Sequence, residues 1–129
     1  MHILRGHLLI EKKVRELINA KVRKPEALSD ARLSFNQVLC IAEALFWKKG
    51  SDWLWESIRK LNNIRNSFSH QLTPKKYDDN IKEFFDIFKN DQFVLFVEAE
   101  KFSNRTRMVI VLNIIYGHLD KYIKKAAKN

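Results

Sequence analysis

The chain has 129 residues, 46% of them hydrophobic, and its 24 Lys and Arg outweigh 15 Asp and Glu for a formal net charge of +9. That length suits one domain around one core. Only three glycines and two prolines occur, and Gly6, Gly50 and Gly117 lie far apart. This excludes the clustered glycines of dinucleotide and P-loop sites and the turn-rich pattern of a β-sandwich.

Cys40 is the only cysteine, which excludes an internal disulfide framework and a Cys-based zinc site and points to a reducing, cytoplasmic location. The sequence has no apolar run long enough to span a bilayer, and its opening MHILRGHLLIEKK lacks the layout of a signal peptide. It reads as a soluble protein with no membrane partner. The charge is uneven. Residues 1–24 carry seven basic and two acidic groups (+5), residues 101–129 carry seven basic groups and Asp120 (+6), and the middle sums to −2. Two terminal helices packed side by side would present one basic surface to a polyanion; the plainer alternative is that these lysines only solvate two amphipathic helices.

In chain order, Ile3, Leu4, Leu8, Val14, Leu17, Ile18 and Val22 recur at helical spacing and predict a helix from about Ile3 to Arg23, stopped by Pro25. A short connector leads to Ser29 and Asp30 as N-caps. The second helix then carries Leu33, Phe35, Val38, Leu39, Ala42, Leu45 and Phe46 and ends at Gly50. Cys40 reads as core filler within it. Ser51 or Asp52 caps a third helix with Leu54, Ile58, Leu61 and Ile64 as its buried stripe. That helix is predicted to end or distort at Asn66-Ser67-Phe68-Ser69, where side chains compete for backbone hydrogen bonds. Trp53 and Trp55 diverge by about 200° on a helix, so one of them should be partly exposed.

Thr73-Pro74 restarts a helix that runs to about Asn90 on Tyr77, Ile81, Phe84, Phe85 and Phe88. The run Phe93 to Val97 reads as a loop or helical turn on the core, because a lone strand has nothing to pair with. A final helix spans about Asn104 to Lys125. The prediction is an all-α single domain of about five helices covering residues 1–129.

Four histidines, His2, His7, His70 and His118, show no metal-binding spacing, and no Gly-flanked serine is present. Glu11 shares a helical face with His7, Val14 and Ile18, and a carboxylate turned inward there needs a cationic or hydrogen-bonding partner. The least ordinary stretch is Leu61 to His70. An arginine grips a phosphate through paired hydrogen bonds and a histidine moves protons near neutral pH, so Arg65 and His70 are the minimum equipment for cleaving RNA by attack of its 2′-hydroxyl, with no metal or other cofactor. Five residues apart on a continuous helix, they diverge by about 140°, so either the helix breaks or a second subunit contributes. The plainer reading pairs Arg65 with Glu11 or another acid and gives His70 to a helix end.

Arg65-Asn66-Ser67-Phe68-Ser69-His70 resembles the R-x4–6-H motif of the HEPN superfamily, and the helical order over most of residues 1–127 is similar to that of its members. The resemblance implies a small all-α domain that forms a two-fold homodimer. It implies a metal-independent endoribonuclease, possible as a toxin or phage-defence component with an antitoxin or regulatory partner protein. Arg65 would hold the scissile phosphate, Asn66 would be the polar residue that follows it, and His70 would be the acid/base. Glu11 resembles, more loosely, a first-helix residue that supports the arginine. The chain reads His70-Gln71-Leu72 where one toxin subgroup has a tyrosine two residues after the histidine. The opening Arg5-Gly6-His7-Leu8-Leu9-Ile10-Glu11 is also similar in layout to mannitol-repressor-like helical proteins, which implies the alternative of a non-catalytic regulatory or binding module.

Overall fold

The computed structural model describes residues 2–67, 73–89 and 101–127, the first three of them by backbone alone. Six helices and no strand occur among these: α1 (His2–Asn19), α2 (Pro25–Ala31), α3 (Phe35–Phe46), α4 (Asp52–Ser67), α5 (Pro74–Asp86) and α6 (Asn104–Ala127). The all-α reading holds, with one helix more than the sequence suggested. α1 ends at Asn19, four residues before the expected Arg23, so Pro25 does not stop it; Pro25 instead opens α2, because the first helical position has no use for the N–H that proline lacks. Ser29 and Asp30 therefore lie inside α2 rather than capping α3. The cap of α3 is Ser34, whose Oγ accepts from Gln37 N–H while the Gln37 side chain accepts from Ser34 N–H. Thr73 caps α5 as predicted, its Oγ1 accepting from Lys76 N–H.

α3 stops at Phe46, four residues before Gly50. Trp47 leaves the helix with extended ψ of 138°, and Gly50, at φ +88°, makes the turn into α4 in a conformation that side chains rarely adopt. Residues 68–72 and 90–100 lie outside the described residues, and so therefore does the expected behaviour of Phe68-Ser69 and of Phe93 to Val97.

The core is built from one stripe per long helix. Ile10, Val14, Leu17 and Ile18 of α1 meet Val38, Leu39 and Ala42 of α3; Leu54, Trp55, Ile58, Leu61 and Ile64 of α4; and Met108, Val111, Ile115 and Leu119 of α6. Phe84, Phe85 and Phe88 close it from the α5 side. Three apolar nominations fail. Leu8 is 57% exposed and Leu45 is 45% exposed, since Ile10 and Ala42 take the inward positions. Cys40 is exposed, about 100° round α3 from Leu39, so it fills no core. Trp55 is wholly buried whereas Trp53 is partly exposed, packed edge-on against Phe88 and His118, as the helical angle required.

Helix directions follow from the cross-contacts. Gly6 lies so close to α6 that a Cβ on it would sit 2.5 Å from Leu112 Cδ1, and seven residues on, Lys13 Nζ donates to Asp120 Oδ1 at 3.0 Å. Advancing along α1 thus advances along α6, and the two terminal helices pack side by side and parallel. α4 runs the other way: its first turn lies against α6 through Trp55 on Tyr122 and Trp53 on His118, while its later turns reach the start of α1 through Asn62 and His7. α5 returns antiparallel to α4, with Lys60 hydrogen-bonded to Asn80 and ion-paired with Glu83, and Trp53 on Phe88. No helix among the described residues is long and apolar enough to cross a membrane.

Candidate functional site

Arg65 sits on the last turn of α4, a position where a cation complements the negative end of the helix dipole. Its side chain is exposed. Nη1 lies 3.4 Å from Asn66 Oδ1, and no carboxylate pairs with it among the described residues. Glu11, the acid that the sequence offered as its partner, reaches Arg15 one turn further along α1 instead, at 3.8 Å. Asn66 is exposed beside Arg65, and Ser67 is half-buried. His70 falls outside the described residues.

Near Arg65 lies a buried polar pair that sequence reasoning did not single out. His7, only 1% exposed, bonds through Nε2 to Asn62 Oδ1 at 3.0 Å, and Asn62 is itself 9% exposed. With Asn62 Oδ1 as acceptor, Nε2 carries the proton and Nδ1 keeps a lone pair; Nδ1 has no hydrogen-bond partner among the described residues. Phe35 packs edge-on against the ring at 5.2 Å. Burial holds the His7 pKa below its ordinary value, opposed by the Asn62 hydrogen bond; the Arg65 charge lowers it further and the Glu11 carboxylate raises it. His7, Glu11, Asn62 and Arg65 therefore form one electrostatic neighbourhood where α4 ends against the start of α1. The signal in the sequence was the helical face shared by His7, Glu11, Val14 and Ile18, and the placement of Asn62 beside the core residue Leu61.

The basic segments divide between the two ends of the bundle. Parallel packing of α1 and α6 sets the end of α1, with Lys21 just beyond it, beside the last turns of α6, which carry Lys121, Lys124 and Lys125. Lys48 of the α3–α4 connection joins them, its Nζ 5.2 Å from the centre of the Tyr122 ring. Arg65 lies at the far end of α4, about 20 Å from Asp52 at the helical rise of 1.5 Å per residue. The terminal helices thus adjoin each other as expected, and their opening turns, which carry Arg5 and Arg105, share the Arg65 end, while the lysines of the last turns of α6 lie at the other.

Between α1 and α6 an open groove is lined by Arg5, Leu9, Val109, Leu112, Asn113 and Tyr116, with Leu9 51%, Val109 43% and Tyr116 37% exposed. No protein-family model matches the chain, and neither a curated protein nor a solved structure does so.

Proposed function

We propose that this protein is a metal-independent endoribonuclease of the HEPN type, acting as a homodimer. The observation that carries the reading is Arg65: a guanidinium displayed at a helix end with no carboxylate neutralising it among the described residues, in the electrostatic neighbourhood of the buried His7–Asn62 pair. An arginine held for structural reasons is ordinarily paired, whereas an exposed one with no acid beside it suits a phosphate. Asn66 adds an amide beside it.

In this reading Arg65 grips the scissile phosphate and stabilises the charge that builds on it. His70 takes the proton from the 2′-hydroxyl, and His70 of the second copy gives a proton to the departing 5′-oxygen, leaving a 2′,3′-cyclic phosphate. Glu11 supports the site at a distance, through its charge on His7. The exposed Leu8 and Leu9, on the turn that also carries His7, supply apolar surface for the second copy at the Arg65 end.

Incubation of the purified protein with RNA in EDTA tests this. Cutting with cyclic-phosphate ends, lost in both Arg65→Ala and His70→Ala, is the expected result; intact RNA, or equal cutting by His70→Ala, sinks it. The groove between α1 and α6 favours a second reading, a non-catalytic module that binds a partner protein there. That reading predicts that expression of the wild type and of Arg65→Ala affects host growth alike.

A further inference from the structure

The end of the bundle opposite Arg65 combines two features that belong to single-strand binding. The first is concentrated charge on two separate segments. Lys48 and Lys49 come from the α3–α4 connection, Lys121 and Lys125 from the last turns of α6, and none of the four has an ion-pair partner among the described residues. Lys125 lies one helical turn beyond Tyr122 on the same face, and Lys48 is over the Tyr122 ring, so the lysines from the two segments adjoin. The nearby acids are largely occupied: Asp120 by Lys13 and Lys124 at 3.0 Å each, and Asp52 by the indole of Trp47.

The second feature is Trp47 itself. It is 52% exposed, directly precedes the two lysines, and is fixed in orientation because its Nε1–H donates to Asp52 Oδ1 at 2.7 Å while its backbone N–H donates to Glu43 O at 2.8 Å. A tryptophan whose only polar atom is already satisfied, and whose ring stands in solvent among cations, offers a pre-set π surface.

We propose that this end is an RNA-holding surface, separate from the Arg65 site, in which the lysines track the phosphates of a single strand and Trp47 stacks on a base. An anionic bilayer is the other partner that lysines and a tryptophan can take. The surface here is a knob made from a turn and a helix end, with Leu45 as its neighbouring exposed aliphatic side chain, not the long apolar helix face that lies in a membrane interface. The RNA partner is taken from the reading above, but no step of that chemistry is needed.

The test is fluorescence anisotropy of a labelled 2′-O-methyl oligo-uridine, which has no free 2′-hydroxyl to attack and reports binding alone. The joint variant Lys48→Ala, Lys49→Ala, Lys125→Ala is expected to bind at least about tenfold more weakly and to flatten the log–log salt slope by about 2, at roughly 0.7 per phosphate contact. Trp47→Ala is expected to weaken binding about tenfold and Trp47→Phe much less, since phenylalanine keeps the stacking face and loses only the bond to Asp52. Thermal melts of every variant, matched to wild type, exclude unfolding. Wild-type affinity in the lysine variant overturns the proposal. So does pelleting of the protein with phosphatidylserine vesicles when the oligonucleotide is left free. Wild type that binds through this end yet leaves RNA uncut in EDTA would refute the nuclease and leave the holding surface standing.

Discussion

The two ends of this bundle handle polar groups in opposite ways. At the Arg65 end an exposed arginine lies in the electrostatic neighbourhood of a buried histidine and amide that hydrogen-bond each other out of water. At the lysine end the charged groups are in water, and what lies behind them is mainly aromatic, the buried Trp55 stacked on the partly buried Tyr122, with Ser51 as the buried polar group. A site that must hold one phosphate in one geometry needs directional bonds behind it, whereas a surface that follows a flexible strand needs only charge and a flat ring. The difference also sets where each end is vulnerable.

The lysine end should suffer most from loss of packing. Trp55 is wholly buried, stacks on Tyr122 with ring centres 6.3 Å apart, and donates from Nε1 to Ser51 Oγ at 3.2 Å, which ties the α3–α4 turn to α6. Trp55→Ala is expected to cost about 3–5 kcal/mol. Urea unfolding measures it. A smaller loss than that of Asn62→Ala would mean that the aromatic contacts are not what holds this end.

The Arg65 end should suffer from loss of a hydrogen bond. Asn62→Ala leaves the Nε2–H of His7 buried and unpaired, at a cost of about 1–3 kcal/mol. It also predicts a pH dependence. The folded ring resists protonation because it is buried, while in the unfolded chain it titrates near the ordinary value of about 6.5. As pH falls from 7 through that value, the unfolded chain takes up a proton that the folded chain does not, so stability drops until the lower folded pKa is passed. Urea midpoints over this range should fall more for wild type than for His7→Gln; identical curves would show that the ring is not held neutral by folding.

How much of this was legible in the sequence depends on the kind of interaction. The stripe Leu54, Ile58, Leu61, Ile64 and the Thr73-Pro74 start could be read directly, because periodicity and capping act within a few residues. The cap of α3 was misassigned: Ser29 and Asp30 stand out as isolated residue types, whereas the cap is Ser34 in the capping box Ser34-Phe35-Asn36-Gln37. The end of α2 was not legible: Arg32 adopts the left-handed conformation, φ 51° and ψ 49°, at a place where no glycine announces it. Nor was the His7–Asn62 bond, which joins residues 55 apart. Net charge by segment was correct in sum, but which end the charge occupies depended on the parallel packing of α1 and α6.

Asp120 links the two terminal helices and gives the finest test of that placement. Lys124 and Lys13 both hydrogen-bond its carboxylate and hold its pKa below the ordinary range, so its contribution to stability is present above the unfolded value and is lost as pH falls through the folded one. Asp120→Asn should destabilise less than Asn62→Ala at neutral pH, because Lys13 keeps Glu16 at 3.6 Å and the Tyr116 ring at 4.8 Å. The same change frees Lys124 beside Lys121 and Lys125 and removes a negative charge from the lysine end. Oligo-uridine binding at low salt should therefore tighten, by less than about threefold, while stability falls slightly. A charge that only kept the protein in solution would leave binding unmoved, so the opposite signs of the two effects are what separate a binding surface from a solvated one.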